Sequence, residues 1–422
     1  MPRADVVVIG AGLAGLACAA ELAEAGASVF LAAKGMATTH WTHGGVDVAA
    51  TRGAITARAG VRALARESDH PFGHLEAEVE AALDAHRARL GRHGIELSGS
   101  LDAPLVPIPT AIGALRPASI LPAAQAAALE PWGADGLLIV GIAGYRDAWP
   151  HFAARNLDAM SWPEGPARIR AIEVELPGLA GRRNLNSRSL ATMFDDAPWR
   201  AEALRALATA VPDGAWRVAV PPVLGIGAHR TVLAQAVQTL GHAVIELPSL
   251  PPSVPGMRMF EALRQEILGH GGRVQIGFDV VDVERAGSRV VAIHTEAAAR
   301  TLRIAGDTFV LATGGIAGEG LRAHPDGSIV ERVFGLAVTA PERAAWFSDD
   351  PLVAHPLEAA GIRTDPTLRP LDPDGSVALD NVRVIGSALA GIHALRDRCG
   401  DGVALASAHR VASSLARTRA AA

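Results

Sequence analysis

The sequence is poor in the residues that build several common kinds of site. Its 422 residues include two cysteines, Cys18 and Cys399. They lie too far apart in sequence for a Cys-x-x-Cys metal or redox pair, and two thiols cannot supply the four thiolates of an iron–sulfur cluster. No His/Cys run has ligand spacing, so no metal site is expected. So little cysteine predicts a reducing, cytoplasmic compartment. Tyrosine occurs once, and aromatic residues make up 4% of the chain. No basic tract is interleaved with aromatics, and the net charge is −5, which argues against nucleic acid as a partner. No charge-free apolar run reaches the roughly 18 to 20 residues that cross a bilayer. The apolar stretch 103–129 is broken by Pro104, Pro107, Pro109, Pro117 and Pro122. Any membrane attachment is therefore expected to come through a partner. The apolar start at 6–9 runs straight into glycines, which predicts a nucleotide-binding turn and not an export signal.

What is present is a long globular chain. At roughly 150 residues per domain its length suggests two or three domains. Hydrophobic residues are 49% and charged residues 20%, which argues against disorder. Residues 5–33 read as strand, tight turn, helix and strand. A second helix is expected over 76–94, with Val79, Leu83 and Leu90 on one face. The proline-rich segment 103–122 reads as a crossover between domains. Beyond it come a buried-type strand at 136–144, a helix at 148–159, and strands at 168–176, 216–220 and 243–247 around a helix at 231–240. This rhythm predicts an inserted α/β domain over 106–255. A helix at 260–269, strands at 273–276, 279–285, 290–295, 309–312 and 382–385, and a last helix at 402–415 complete the chain. No internal repeat is evident.

Four motifs carry chemistry. The first is VVVIGAGLAGLACAAELAEAG. Gly10 and Gly12 allow a tight turn and close approach to a pyrophosphate, and Gly15 lets the helix lie near the strand. Leu13 and Ala14 then open a helix whose N-terminus offers N–H donors to phosphate. A carboxylate at the end of the second strand would take the ribose hydroxyls of an adenosine. Here the strand ends Ala32-Ala33-Lys34-Gly35, and that acid is missing. Lys34 reads either as a phosphate contact or as a solvated charge. The second motif is TTHWTHGGVDVAA, in which Thr42, His43, Gly44 and Gly45 suit a loop that presents backbone N–H groups to a flavin ring. His43 reads as a proton carrier, a flavin hydrogen-bond donor or a loop histidine, and His40 as a loop histidine. The third, FVLATGGIAGEG, places Ala312, Thr313 and Gly314 where a chain returns beside a nucleotide. The fourth is NVRVIGSALAGIHALRDRCGDGVALASAHR. Gly386 opens its loop, and Gly400, Gly402 and Val403 open a helix whose N-terminus would face a flavin carbonyl and favour reduced flavin. Cys399, just before that helix, reads as a small packed residue. The order of the four motifs predicts a flavin site, with FMN or FAD bound.

The expected fold class is α/β. A Rossmann-like flavin-binding domain, a parallel sheet plus a small antiparallel sheet, is expected from residues 1–105 and 256–422, with the α/β domain 106–255 inserted as a cap, substrate or partner domain.

With these motifs the sequence resembles the family of B subunits of anaerobic glycerol-3-phosphate dehydrogenase. The resemblance rests on HGGVDVAA, IVGIAGYRDAWPHFAARNL, LPSLPPSVPGMRM, DPTLRPLD and IGSALAGIHALRDRCGDGVALASA, pieces spread over nearly the whole chain. It implies a three-subunit enzyme that oxidises sn-glycerol 3-phosphate to dihydroxyacetone phosphate. An FAD-containing catalytic A subunit handles substrate, the B subunit is associated with FMN, and an iron–sulfur C subunit docks at the inner face of the membrane and passes electrons to quinone. The missing ribose acid agrees with FMN, which has no adenosine. His393, Arg396 and Arg398 match no family role, and Asp401 lies between Gly400 and Gly402.

If the chain handles substrate itself, a base must take the hydroxyl proton and cations must hold the phosphate. His43 is the candidate base, and Arg258 and Arg369 are the candidate clamps. His229, after Gly225 and Gly227, is a further candidate. If the chain relays electrons, it needs none of these groups. Two other readings stay open: a stand-alone flavin oxidoreductase of the fumarate-reductase type, and a non-catalytic assembly subunit.

Overall fold

Residues Arg3–Ile9 form strand β1, Leu13–Glu24 helix α1, and Val29–Ala33 strand β2. Every residue of β2 is buried, as are Val6 to Ile9 of β1, which is the mark of parallel strands covered on both faces. The alanines and leucines of α1 are strong helix formers, and nine of its residues are buried. The computed structural model describes residues 2–297, 300–351 and 353–420. Its backbone contacts fall into two compact units, Met1–Thr39 with Val46–Arg89 and Phe260–Ala422, and His40–Gly45 with Leu90–Met259.

The first unit is built on a seven-stranded sheet in which Arg273–Ile276, β2, β1 and Arg300–Leu311 follow one another, then Arg289–Ala297 and Asp279–Ala286. The strand Arg300–Leu311 does two jobs. Its first half pairs antiparallel with Arg289–Ala297, through Ile293 and Ile304. Its second half runs parallel to β1, with Ile9 beside Leu311, and to Val382–Val384, with Leu311 beside Val384. The sheet is thus parallel in one part and antiparallel in the other, as the sequence suggested. The carboxyl ends of β1, β2, Arg300–Leu311 and Val382–Val384 share one edge, where α/β sheets bind ligands. The last helix, Gly400–Ala420, begins two residues earlier than expected and runs longer. It lies against α1, where Ser413 Oγ donates to Glu21.

The second unit carries a four-stranded parallel sheet in the order Ala243–Glu246, Trp216–Val220, Gly136–Ile142, Ile169–Val174. Its middle strands are buried on both faces: Leu138, Val140 and Val218 pack with Phe194 and Leu204, whereas Ile139 and Ala219 pack with Leu157 and Ile245. The helices Ser187–Asp195 and Ala197–Ala210 were not foreseen. The side chains of Asn186 and Asp196 cap them, accepting from Ser189 N at 2.9 Å and Trp199 N at 3.2 Å. The proline-rich stretch folds as a ribbon, Val106–Pro109 against Leu115–Ala118 with Pro107 opposite Pro117. A two-stranded ribbon leaves one edge of each strand unpaired, where proline is tolerated.

Candidate functional site

At the edge of the first unit β1 turns sharply into α1. Gly10 has φ 115°, a region that side chains strain to enter, and a Cβ there would stand 2.2 Å from the Ala312 carbonyl oxygen. The turn is pinned by Gly10 N–H, which donates to Ala32 O at 2.8 Å, and by Ala312 N–H, which donates to Ile9 O at 2.8 Å. Gly12 begins α1 in an extended conformation with no side-chain cap. The first-turn N–H groups of Leu13, Ala14 and Gly15 and the positive end of the helix dipole are therefore left for an anion. Beside the turn the Thr313 hydroxyl is buried without a hydrogen-bond partner. An uncapped helix start beside a glycine turn that a Cβ would fill fits the phosphate of a nucleotide.

Two later segments join this edge. A Cβ on Gly386 would lie 2.8 Å from that of Ala14, and Gly386 N–H donates to Ser407 Oγ at 3.0 Å. The start of Gly400–Ala420 is crossed by residues 46–50. Gly402 N–H donates to Asp47 O at 3.1 Å, Asp47 N–H to Asp401 Oδ2 at 3.0 Å, and Ala50 N–H to Asp397 O at 2.8 Å. A side chain at Gly402 would meet the Val48 carbonyl oxygen at 2.5 Å. The structure thus brings Gly10, Gly12, Leu13, Ala14, Gly15, Ala312, Thr313, Gly314 and Gly386 to one edge, and puts Gly400, Gly402 and Val403 on a helix tied to Gly386 through Ser407. Ala33 ends β2. Lys34 forms an ion pair with Glu319 at 2.7 Å, and Gly35 faces open space.

Thr42, His43, Gly44 and Gly45 belong to the second unit. Gly45 N–H donates to His43 Nδ1 at 3.3 Å and Gly44 N–H to Thr42 Oγ1 at 3.3 Å. Gln125, fully buried, fixes the loop by donating to His43 O at 2.7 Å. Nothing in the sequence around Gln125 marks it, because its partner lies 82 residues away.

Arg258 is buried in the second unit. It clasps Glu246 with bonds of 2.6 and 2.9 Å and donates Nε–H to Gly225 O at 2.8 Å. Burial alone would raise the Glu246 carboxyl; the Arg258 charge and hydrogen bonds outweigh it and hold the group below its ordinary value. His229 contacts Leu224 O through Nδ1 at 2.8 Å. Burial, and then the Arg258 charge, lower its pKa, so it stays neutral. The loop at Gly225 and Gly227 is filled from within by Asp195, whose carboxylate accepts from the N–H groups of Ile226, Gly227 and Ala228 at 2.9 to 3.1 Å. Arg369, in the first unit, pairs with Asp365 of its own turn at 2.7 Å. Both proposed anion clamps are thus held by carboxylates.

A separate cavity of about 560 Å³ opens in the first unit, lined by His70, His74, Thr339, Arg363 and His393 among others. None of the residues picked out from the sequence as site residues lines it. His70 Nδ1 accepts from Phe72 N–H at 3.1 Å, so Nε2 carries the hydrogen and faces Cys399 Sγ at 3.7 Å. Burial lowers His70 to about 4 and raises Cys399 to about 12. Both are neutral, and Cys399 is a packed thiol and not a nucleophile. Among the described residues no three or more His, Cys, Asp or Glu are grouped to hold a metal ion, and no helix is long and apolar enough to cross a membrane.

Similarity in sequence to known proteins agrees with this geometry. The family model described as "FAD binding domain" matches residues 5–403. The chain is 31% identical to the probable B subunit of anaerobic glycerol-3-phosphate dehydrogenase from Halobacterium salinarum, over 98% of both chains. It is 30% identical to the B subunit of anaerobic glycerol-3-phosphate dehydrogenase from Vibrio cholerae, over 99% of this chain and 98% of that one. Among solved structures it aligns along 99% of its length with 3-ketosteroid Δ1-dehydrogenase from Sterolibacterium denitrificans, at 13% identity and a TM-score of 0.48. This chain belongs to the family of anaerobic glycerol-3-phosphate dehydrogenase B subunits, flavin oxidoreductases built on the FAD binding domain.

Proposed function

We propose that the chain is the flavin-carrying B subunit of a three-subunit glycerol-3-phosphate dehydrogenase. In this reading sn-glycerol 3-phosphate is oxidised to dihydroxyacetone phosphate on an FAD-containing A subunit. This chain relays the electrons to an iron–sulfur C subunit, which delivers them to quinone. The complex is cytoplasmic and held peripherally at the inner face of the membrane through that C subunit. The observation that supports it most is near-full-length similarity to such B subunits in a chain whose glycine turn leaves a helix start open to a phosphate.

The cofactor we propose is FMN. When bound, a flavin supplies a two-electron acceptor that can hand electrons on one at a time. The chain's own groups do the rest. The N–H groups of Leu13, Ala14 and Gly15 bind phosphate, and Ala312, Thr313 and Gly314 back the glycine turn. The backbone at Gly386 lines the approach to it. The start of Gly400–Ala420, with Gly400, Gly402 and Val403, offers positive potential to a reduced ring. In the second unit the loop Thr42–Gly45 is closed on itself, with the Gly44 and Gly45 N–H groups bonded to Thr42 and His43, and an electron relay asks no proton transfer of His43. We treat residues 106–255 as an inserted cap or partner domain within a flavin-binding domain of 1–105 and 256–422. Arg258 and Arg369 as substrate clamps would have to exchange Glu246 and Asp365 for a phosphate. That exchange is unfavourable for the buried Arg258–Glu246 pair, so the relay role is the better reading.

Heat release of the cofactor, with its mass measured, tests the first step. Reduction of a dye by glycerol 3-phosphate, with this chain alone and then with its iron–sulfur and FAD partners, tests the second. The reading expects a flavin in the purified chain and turnover with partners only. A colourless protein, expressed with ample riboflavin, would sink it. Turnover by the chain alone would replace the relay with a catalytic role.

A further inference from the structure

The carboxyl end of β2 combines a deficit with a substitute. Chains that hold a dinucleotide place a carboxylate there for the adenosine ribose, and this chain has Ala33 and Lys34. A carboxylate nonetheless arrives from far along the chain: Glu319 Oε2 lies 2.7 Å from Lys34 Nζ. Lys34 follows β2, and Glu319 sits in the loop that follows Arg300–Leu311. In the sheet these two strands flank β1 on either side. They are therefore two strand spacings apart, about 10 Å, and the ion pair between their loops spans the end of β1, where the Gly10 turn lies. A nucleotide that runs from the turn to the end of β2 has to pass this bridge.

The bridge is held by its backbone. Two non-glycine residues beside it adopt left-handed conformations, Ala37 with φ 52° and Glu319 itself with φ 61°. Such strain persists only where the surroundings fix it. Glu319 N–H donates to Ile316 O at 3.0 Å, and Arg332 donates to Glu319 O at 3.3 Å. The charges around the pair are Lys34, Arg322 and Arg332 against Glu319, with Arg332 also facing Asp279 at 3.4 Å. A phosphate monoester carries close to two negative charges and suits this surplus. A ribose carries none, and the Glu319 carboxylate that could accept from it is turned to Lys34 through Oε2.

We propose that Lys34 and Glu319 select a flavin mononucleotide over the dinucleotide, Lys34 lending its charge to the terminal phosphate and the ion pair closing the place of the adenosine ribose. The proposal rests on the flavin reading above and adds the residues that decide which flavin. Both side chains are largely exposed, at 55% and 66%, so substitutions there leave the core intact.

The test uses the full chain stripped of flavin, titrated calorimetrically with FMN, FAD and riboflavin. The wild type is expected to bind FMN at least tenfold tighter than FAD. Lys34→Ala weakens FMN several-fold and leaves riboflavin, which lacks the phosphate, unchanged. Lys34→Glu combined with Glu319→Gln sets a free carboxylate at the end of β2, and it moves the FMN-to-FAD preference tenfold or more toward FAD. FAD bound as tightly as FMN by the wild type, or a preference unmoved in the double variant, overturns the proposal while the flavin reading stands. Binding of none of the three flavins by the wild type overturns both.

Discussion

Gly10 carries more of the site than any other residue. Its φ of 115° and the 2.2 Å approach to Ala312 O mean that even a methyl group forces β1 and Arg300–Leu311 apart. Gly10→Ala is expected to cost about 2 to 4 kcal/mol of stability and to remove flavin from the purified protein, as absorbance at the flavin band against protein would report. Flavin retained at wild-type stoichiometry would show that the turn is not the phosphate site. Arg258 makes the opposite case, a functional-looking residue whose work is internal. Its side chain is 4% exposed and that of Glu246 is 0%. Removing one partner of a buried pair leaves an uncompensated charge, so Arg258→Ala is expected to lose about 3 to 5 kcal/mol in urea unfolding. Joint replacement by apolar residues of similar volume should recover most of that loss. The sign with pH follows from Glu246. Its folded pKa is depressed, so its contribution is complete above the ordinary value of 4.5 and is lost as pH falls through the folded value.

Among the elements, the helix Val79–Arg92 contains a conflict. His86 is 1% exposed, and neither ring nitrogen has a hydrogen-bond partner. Burial, and then the charges of Arg89 and Arg87, lower its pKa to about 3. Between the ordinary value of 6.5 and that value the unfolded chain binds a proton that the folded chain refuses. Stability is therefore intact above pH 6.5 and falls on acidification, by up to about 1.4 kcal/mol per pH unit for a fully buried group. His86→Leu should flatten this acid limb and raise the melting temperature at neutral pH. A melting curve at pH 5 that drops as far for the variant as for the wild type would put the acid sensitivity elsewhere, with His70 the next candidate. At the start of Gly400–Ala420, Gly402→Ala would push against Val48 O and displace residues 46–50. It should weaken flavin binding more than it lowers stability, a comparison that titration and melting together would make.

How far these elements could be read in advance depended on the range of their interactions. The unit β1–α1–β2 was legible because its apolar run, its glycines and its alanine-rich helix are contiguous. The gathering of residues 312–314 and Gly386 beside α1 was legible because each motif ends a strand of one parallel sheet. The helices Ser187–Asp195 and Ala197–Ala210 were not, although Asn186 and Asp196 were there as caps, because their apolar positions are short runs among polar residues. The Lys34–Glu319 contact spans 285 residues and Gln125–His43 spans 82. No local pattern encodes either, and only the sheet order brings the first pair together.

At the scale of the whole molecule, two units with their own sheets face different demands. The second buries large side chains on both faces of its sheet and fills its own glycine loop with Asp195. The first leaves its glycine turn, the uncapped start of α1 and the Thr313 hydroxyl unsatisfied by protein. A fold that keeps such groups open is less stable alone than with its ligand, because only the folded state binds it. FMN at a hundred times its dissociation constant should therefore stabilise the chain by about 2.7 kcal/mol and raise its melting temperature by about 3 °C. Riboflavin, which brings no phosphate to the α1 start, should give a clearly smaller shift at the same concentration. Scanning calorimetry of the flavin-stripped chain with each compound would read this directly. Equal shifts from riboflavin and FMN would mean that the phosphate gains nothing from the helix start, and the role given to Leu13, Ala14 and Gly15 would fall with it.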